Sequence, residues 1–131
     1  MTVKEISRYR ELAVRLENAK EILESLQNAS QPRTAVTDGM PHGSPSKDQV
    51  GKLITAIADL TERIEFLKRE LTRERRKVAA FIDRIPDERI RTAVLLKYLD
   101  GLKWDQIADA FGDKYTTEGL KYMCYRFIEG T

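Results

Sequence analysis

LLKYLDGLKWDQIADAFGDKYTTEGLKYMCYRFIEG, residues 95–130, is the stretch that decides the fold. Gly101 and Gly112 each follow a run of helix-forming residues and predict two helix ends, since glycine is preferred just past a helix C-terminus. Thr116 or Thr117 predicts the start of a further helix, because a threonine side chain can accept from the free N–H groups there. Three short helices are therefore expected, over about 87–100, about 104–111 and from 116 or 117 to about 128.

The second and third of these helices have the spacing of a helix-turn-helix. Ala108 is small enough for another helix to cross close by, and Gly112 supplies the turn between the two helices. The core between them is expected to hold the apolar side chains of Ile107, Phe111, Leu120 and Met123. A small residue, a turn glycine and apolar positions in register are typical of DNA-binding helix-turn-helix units.

A heptad stripe precedes this segment. Apolar residues recur at alternating steps of three and four from Val50 to Ile85, with Glu74 as the exception, which predicts a long coiled-coil helix. Pro86 ends it, because proline disfavours helical conformation in the residue before it. The stripe consists of Val50, Leu53, Ile57, Leu60, Ile64, Leu67, Leu71, Glu74, Val78, Phe81 and Ile85.

An amphipathic helix is predicted before the stripe, from Val3 to about Ala29, where apolar residues recur at helical spacing without Gly or Pro. Residues 30–46 hold three of the four prolines and are expected to form a loop. Ser46 with Gln49 fits a capping box for the heptad helix. That helix can pack against the first one, folded back antiparallel across the loop, or against a second copy of itself.

The whole chain is expected to be all-α. Its 131 residues fit about one domain, and 34% charged with 8% aromatic residues is closer to long solvated helices than to a compact enzyme. Residues 1–85 are expected to form a helical hairpin or coiled-coil arm, and residues 86–131 a three-helix head that contains the helix-turn-helix.

The run LLKYLDGLKWDQIADAFG, residues 95–112, resembles the fourth conserved region of bacterial sigma factors. There an aliphatic run ending in tyrosine is followed by Gly-Leu-x-aromatic-x-x-Ile-Ala and a turn glycine. More closely, the chain resembles small phage-encoded regulators of the ArpU and RinA kind, which have a similar N-terminal helical segment, polar loop and C-terminal helix-turn-helix. Two departures are visible: Lys103 stands where sigma factors usually have Ser, and Asp113 with Lys114 lengthens the turn.

The resemblance implies a phage or prophage transcription regulator that recognises promoter DNA, with RNA polymerase as a further partner. Carried over position by position, it turns one set of third-helix side chains toward DNA, where recognition-helix residues reach base edges in the major groove. The expected base readers are Thr117, Glu118, Lys121 and Tyr122. The expected phosphate contacts are Lys114, Tyr125 and Arg126.

Positive charge is concentrated in the middle of the chain. Residues 50–85 carry 9 Lys and Arg against 6 Asp and Glu, whereas residues 86–131 carry 7 against 8. Because Lys and Arg supply most non-specific affinity for DNA, the head is expected to need a second copy, RNA polymerase or the basic stretch to bind tightly. The auxiliary phosphate contacts expected from that stretch are Arg69, Arg73, Arg76 and Lys77. A solvated face supported by neighbouring Glu side chains is the alternative.

Catalytic and metal-binding patterns are not visible in the sequence. One Cys and one His are too few for a zinc shell, which normally takes about four ligands, and Cys124 is expected to pack as a small apolar side chain. No glycine pattern fits a phosphate-binding loop, so neither an enzyme nor a cofactor is expected. No run approaches the roughly 20 apolar residues of a membrane span, and the single Cys fits a reducing cytoplasm.

Two other functions stay open from the sequence. A small terminase-like subunit for phage DNA packaging also combines a helix-turn-helix with long helices, and a structural adaptor would use the heptad stripe alone. The expected partners are duplex DNA, RNA polymerase and a second copy of the chain forming a dimer through the heptad helix, with no membrane.

Overall fold

The computed structural model describes residues 1–31 and 47–130. Within them the elements are α1 (Val3–Ser30), α2 (Lys47–Asp83), α3 (Glu88–Val94), a π-helical turn (Leu95–Leu99), α4 (Trp104–Phe111) and α5 (Thr117–Glu129). These residues contain helices and no strand, so the predicted all-α class is confirmed. Most of the predicted loop over 30–46 and the Ser46 half of the predicted capping box lie outside the described residues.

The chain divides into two compact units. One unit consists of Met1–Val14 together with the residues from Arg69 onward, and the other of Arg15–Lys68. The first unit is thus larger than the predicted head of residues 86–131, because it also takes in the start of α1 and the end of α2. The physical reason is its core, in which Ile6 from α1 is fully buried in one cluster with Val78 from α2.

The core of this larger unit is almost entirely apolar. Complete burial of a valine, leucine or isoleucine side chain contributes about 1.5–3 kcal/mol to stability relative to leaving it exposed. The cluster contains Ile6, Val78, Ile82, Ile85, Ile90, Ala93, Val94, Tyr98, Trp104, Ile107, Ala108, Leu120, Cys124 and Ile128. It draws side chains from every helix and from the π-helical turn, and so fixes α4 and α5 against α3.

Glu74 is the buried charged residue of the described chain. It is the exception in the heptad stripe, and its Oε1 lies 3.9 Å from Nε of Arg8 on α1 and 3.5 Å from Nζ of Lys77 on α2. A buried carboxylate is costly to desolvate unless cations lie beside it. The Arg8 contact therefore ties α1 to α2 within the larger unit.

In the smaller unit, α1 and α2 each bury two apolar side chains. Leu16 and Ala19 on α1, and Ile64 and Leu67 on α2, are all less than a tenth exposed. They lie on the amphipathic stripes of the two helices, and such helices owe most of their stability to packing. Half-buried positions continue the stripes toward the ends that border residues 32–46: Leu23, Leu26, Val50, Leu53, Ile57 and Leu60.

The helix after Pro86 differs from the expected single helix over 87–100. It begins as α3, with Asp87 at its N-cap, and its last turn is π-helical. There the backbone N–H of Asp100 donates to the carbonyl of Leu95 (3.2 Å), five residues back instead of four. Gly101 follows at φ +79°, with the Arg10 guanidinium packed where a side chain would start.

In the described part of the chain, no helix combines the length and the apolar character that crossing a bilayer requires.

Candidate nucleic-acid interface

α4 confirms the predicted helix over 104–111. Lys103, which stands where the resemblance expects Ser, makes no side-chain cap, and Oδ1 of Asp105 accepts from the backbone N–H of Gln106 instead (2.9 Å). The backbone N–H of Lys103 in turn donates to Oε1 of Gln106 (2.9 Å). Ile107 and Ala108 are buried, as the helix-turn-helix spacing predicts. Trp104, the first residue of α4, is 8% exposed and belongs to the core.

The turn between α4 and α5 depends on Gly112. Its φ of +105° and ψ of −179° lie in a region that is essentially restricted to glycine. The extra length predicted for this turn is held by Tyr115, whose N–H donates to the carbonyl of Gly112 (3.2 Å) and whose ring packs edge-on against Phe111 at 5.5 Å. Gly112 therefore has the turn role that the sequence predicts.

Thr116 then caps α5. Its Oγ1 accepts from the backbone N–H of Gly119 (3.0 Å), so the helix begins at Thr117. This hydrogen bond satisfies one of the free N–H groups at the start of the helix. The predicted start at 116 or 117 is confirmed.

α5 presents three rows of side chains, each with members four residues apart. The inward row is fully or almost fully buried and consists of Leu120, Cys124 and Ile128. The outward row is exposed and consists of Glu118, Tyr122 and Arg126. A third, half-buried row consists of Thr117, Lys121 and Tyr125. Six of the seven predicted DNA-contacting residues thus lie on one helix, away from its buried row.

Tyr122 is the exposed large hydrophobic side chain on α5. Its exposed fraction is 66%, whereas Met123 beside it is half-buried. Met123 was expected in the core between α4 and α5, and in the structure it packs against the edge of that core while Cys124 lies fully inside it. Exposed aromatic and polar side chains in the first two turns of a recognition helix are suited to base edges.

Tyr125 is held by neighbouring rings. Its ring lies 6.1 Å from that of Trp104 in an edge-to-face arrangement, and Nζ of Lys121 lies 5.5 Å from its centroid. An anchored, half-buried tyrosine is suited to orienting Lys121, while its hydroxyl lies close to that of the buried Tyr98.

The remaining predicted phosphate contacts differ in how their charge is matched. Lys114 in the turn and Arg126 on α5 are exposed, and within residues 1–31 and 47–130 neither forms an ion pair. On α2, Arg73 pairs with Glu70 (3.1 Å) and Lys77 with Glu74 (3.5 Å). Arg73 and Lys77 therefore agree with the alternative interpretation, in which this stretch is a solvated face supported by neighbouring Glu side chains.

Arg69 and Arg76, the other two members of the basic stretch, are exposed on α2 without an ion pair in the described ranges. They belong to the same compact unit as α5, which carries 16 Lys and Arg against 13 Asp and Glu. Its balance is positive, although residues 86–131 alone are slightly acidic. The ends of α1 and α2 therefore supply the positive charge that the predicted head lacks.

Among the ionisable groups near α5, Cys124 and Asp87 have shifted pKa values that bear on its chemistry. Burial raises the pKa of the Cys124 thiol to about 12, with the charge of Asp87 adding to the effect, so the thiol is protonated and unreactive at neutral pH. The hydrogen bond from the Arg89 side chain, followed by that from the Arg89 backbone, lowers the pKa of Asp87. Asp87 therefore carries the negative charge that favours the start of α3.

Sequence reasoning did not identify Lys97. This lysine lies on the π-helical turn, and its Nζ is 5.7 Å from the centroid of the Trp104 ring. The signal available in the sequence was only its place four residues before Gly101. Its proximity to α4 and α5 depends on tertiary packing.

No group of three or more His, Cys, Asp or Glu side chains suited to a metal ion occurs in the part of the chain that the structure describes. His42 lies outside that part. In comparisons with known proteins, neither a family model, nor a curated protein, nor a solved structure matched this chain.

Proposed function

We propose that this protein binds duplex DNA through α5 and regulates transcription, in the manner of the sigma-like phage regulators that its sequence resembles. The observation that carries the proposal is the arrangement of α5. It follows a glycine turn after α4, buries one row of side chains, and exposes an opposite row that begins at its N-terminal end. A helix presented in this way can enter the major groove with its first turns against base edges.

The side chains expected to contact DNA have distinct chemical roles in this proposal. The carboxylate of Glu118 can accept from the amino group of cytosine, and the ammonium of Lys121 can donate to O6 and N7 of guanine. Thr117 and Tyr122 add hydroxyl groups that donate or accept at either base pair. Lys114 and Arg126 position the helix through phosphate, supported by Arg69 and Arg76 on α2.

The modest charge of the larger unit, 16 cationic against 13 anionic side chains, favours a second source of affinity. We propose that this source is a second copy of the chain, joined through the half-buried stripes of α1 and α2 in the smaller unit. Two copies present two α5 helices to two half-sites, as helix-turn-helix dimers do. RNA polymerase is the further partner that a sigma-like regulator would contact.

The proposal is tested by a salt titration of DNA binding with the Lys121→Ala/Arg126→Ala double variant. Loss of the Arg126 phosphate contact should reduce the magnitude of the slope of log K against log salt by about 0.9, and loss of the Lys121 base contact should weaken binding further at every salt concentration. The matched control is Arg15→Ala/Lys52→Ala, which removes the same two residue types from exposed positions in the smaller unit. The control should bind DNA like the wild type.

Light scattering during gel filtration separates the remaining candidates. A dimer agrees with the regulator, while a large ring favours the DNA-packaging subunit. Failure of the wild type to bind duplex DNA even at low salt contradicts both and leaves the structural adaptor.

A further inference from the structure

Two lysines from different elements lie on either side of one pair of aromatic rings. Lys97 on the π-helical turn lies over the Trp104 ring, Trp104 meets Tyr125 edge-to-face, and Lys121 on α5 lies over the Tyr125 ring. The three centroid distances are 5.7, 6.1 and 5.5 Å. This series of four side chains therefore links the π-helical turn before α4 to α5, the helix that is proposed to read DNA.

The π-helical turn accounts for the position of Lys97. In this turn one more residue is accommodated than in an α-helix, which rotates the following side chains about the axis. Tyr98 is thereby turned into the core, 3% exposed and edge-on to Trp104 at 6.3 Å. Lys97, its neighbour, is half-buried with its ammonium over the Trp104 ring. Single π-helical turns within helices occur frequently at functional sites.

The charges of both lysines are left unmatched. Within residues 1–31 and 47–130, neither Lys97 nor Lys121 pairs with a carboxylate, whereas Arg73, Lys77 and Arg91 do. A cation held over an aromatic face keeps its charge and loses side-chain freedom before any ligand arrives. Such a cation is prepared for an anionic partner outside the chain.

We propose that Lys97 is a DNA-phosphate contact, preoriented by Trp104, which acts together with Lys121 at the edge of the recognition helix. This inference rests on the proposed function, since it adds a contact to the same DNA interface. The ligand is the phosphodiester backbone, which a lysine engages as a point charge without reading sequence. Lys97 thus fixes how α5 is seated, while other side chains of α5 read the bases: Thr117, Glu118, Lys121 and Tyr122.

The test compares Lys97→Gln, Lys97→Arg and the control Lys52→Gln in DNA-binding titrations from about 50 to 200 mM salt. Loss of one phosphate contact reduces the magnitude of the slope of log K against log salt by about 0.9. The ratio of the Lys97→Gln Kd to the wild-type Kd should therefore fall about 3.5-fold from the lowest to the highest salt concentration. Lys97→Arg keeps the charge and should keep the wild-type slope. Lys52→Gln, with the same charge change in the smaller unit, should also keep it.

Trp104 provides a second readout, because it is the single Trp of the chain. DNA binding should change its fluorescence in the wild type, since the cation on its ring is drawn to phosphate, and the change should be smaller in Lys97→Gln. Circular dichroism confirms that the variant is folded.

The outcomes separate this inference from the proposed function. If the wild type binds and Arg126→Ala reduces the magnitude of the slope while Lys97→Gln does not, the Lys97 contact is overturned and DNA binding stands. Weaker binding of Lys97→Gln at an unchanged salt slope also overturns the contact, since the lost interaction is then not with phosphate. No binding by the wild type overturns both.

Discussion

Replacing Gly112 with Ala isolates the backbone conformation of the turn between α4 and α5. A Cβ at Gly112 would meet no heavy atom within 4 Å, so the substitution creates no clash. The cost comes from φ +105° and ψ −179°, a conformation that costs a non-glycine residue about 1–3 kcal/mol. The Gly112→Ala variant should therefore be about 1–3 kcal/mol less stable than the wild type.

Gly51→Ala is the matched control. A Cβ at this position also meets nothing within 4 Å, but Gly51 lies in α2 with helical backbone. Alanine is favoured over glycine in a helix by about 0.8–1 kcal/mol. The same chemical change should thus stabilise the chain at 51 and destabilise it at 112, a difference of about 2–4 kcal/mol.

Urea unfolding followed by circular dichroism and Trp104 fluorescence measures both effects. The fluorescence reports the compact unit that contains Gly112, while the dichroism reports the helices of both units. A Gly112→Ala variant as stable as the wild type, or one shifted in the same direction as Gly51→Ala, would refute the reasoning about the turn.

Three further changes test how α5 and the core are held. Thr116→Ala removes the hydroxyl that accepts from Gly119 and should cost about 1 kcal/mol, measured by thermal unfolding; an unchanged Tm would show that the cap contributes nothing. Glu74→Leu replaces the buried carboxylate and should raise Tm, by about 1 kcal/mol or more in stability, since it removes the cost of burying that charge while its partners Arg8 and Lys77, 63% and 57% exposed, stay solvated; a lower Tm contradicts this. Because burial raises the pKa of Cys124 to about 12, the stability present below about pH 9 should decrease as pH rises. Between about pH 9 and 10.5 the wild type should lose up to about 2 kcal/mol more than Cys124→Ala in urea unfolding, and parallel losses would refute the assignment.

The bounds of α4 and α5 could be predicted because single residues punctuate them. Gly112 adopts a backbone conformation that other residues avoid, and Thr116 supplies a capping oxygen, so both signals act within a few residues. The resulting outward row of α5 follows from helical periodicity alone. Local chemistry was sufficient for these features.

Features that depend on distant packing could not be predicted. Ile6 joins the core with Val78 and Ile82, more than seventy positions away, so the compact unit extends beyond residues 86–131. The π-helical turn depends on the hydrogen bond from the backbone N–H of Asp100 to the carbonyl of Leu95, five residues earlier in the chain. The apolar pattern of the sequence does not indicate this hydrogen bond. The placement of Lys97 over Trp104 follows from that turn and was missed for the same reason.

The central claim is that α5 enters the major groove of DNA. Its most direct test is protection of guanine N7 from methylation on the duplex that the chain selects from a random pool, because N7 is exposed only in the major groove. The account predicts protected guanines within the selected site, and loss of that protection in the Lys121→Ala/Arg126→Ala variant. Selected DNA with every guanine N7 as reactive as in free duplex would contradict it.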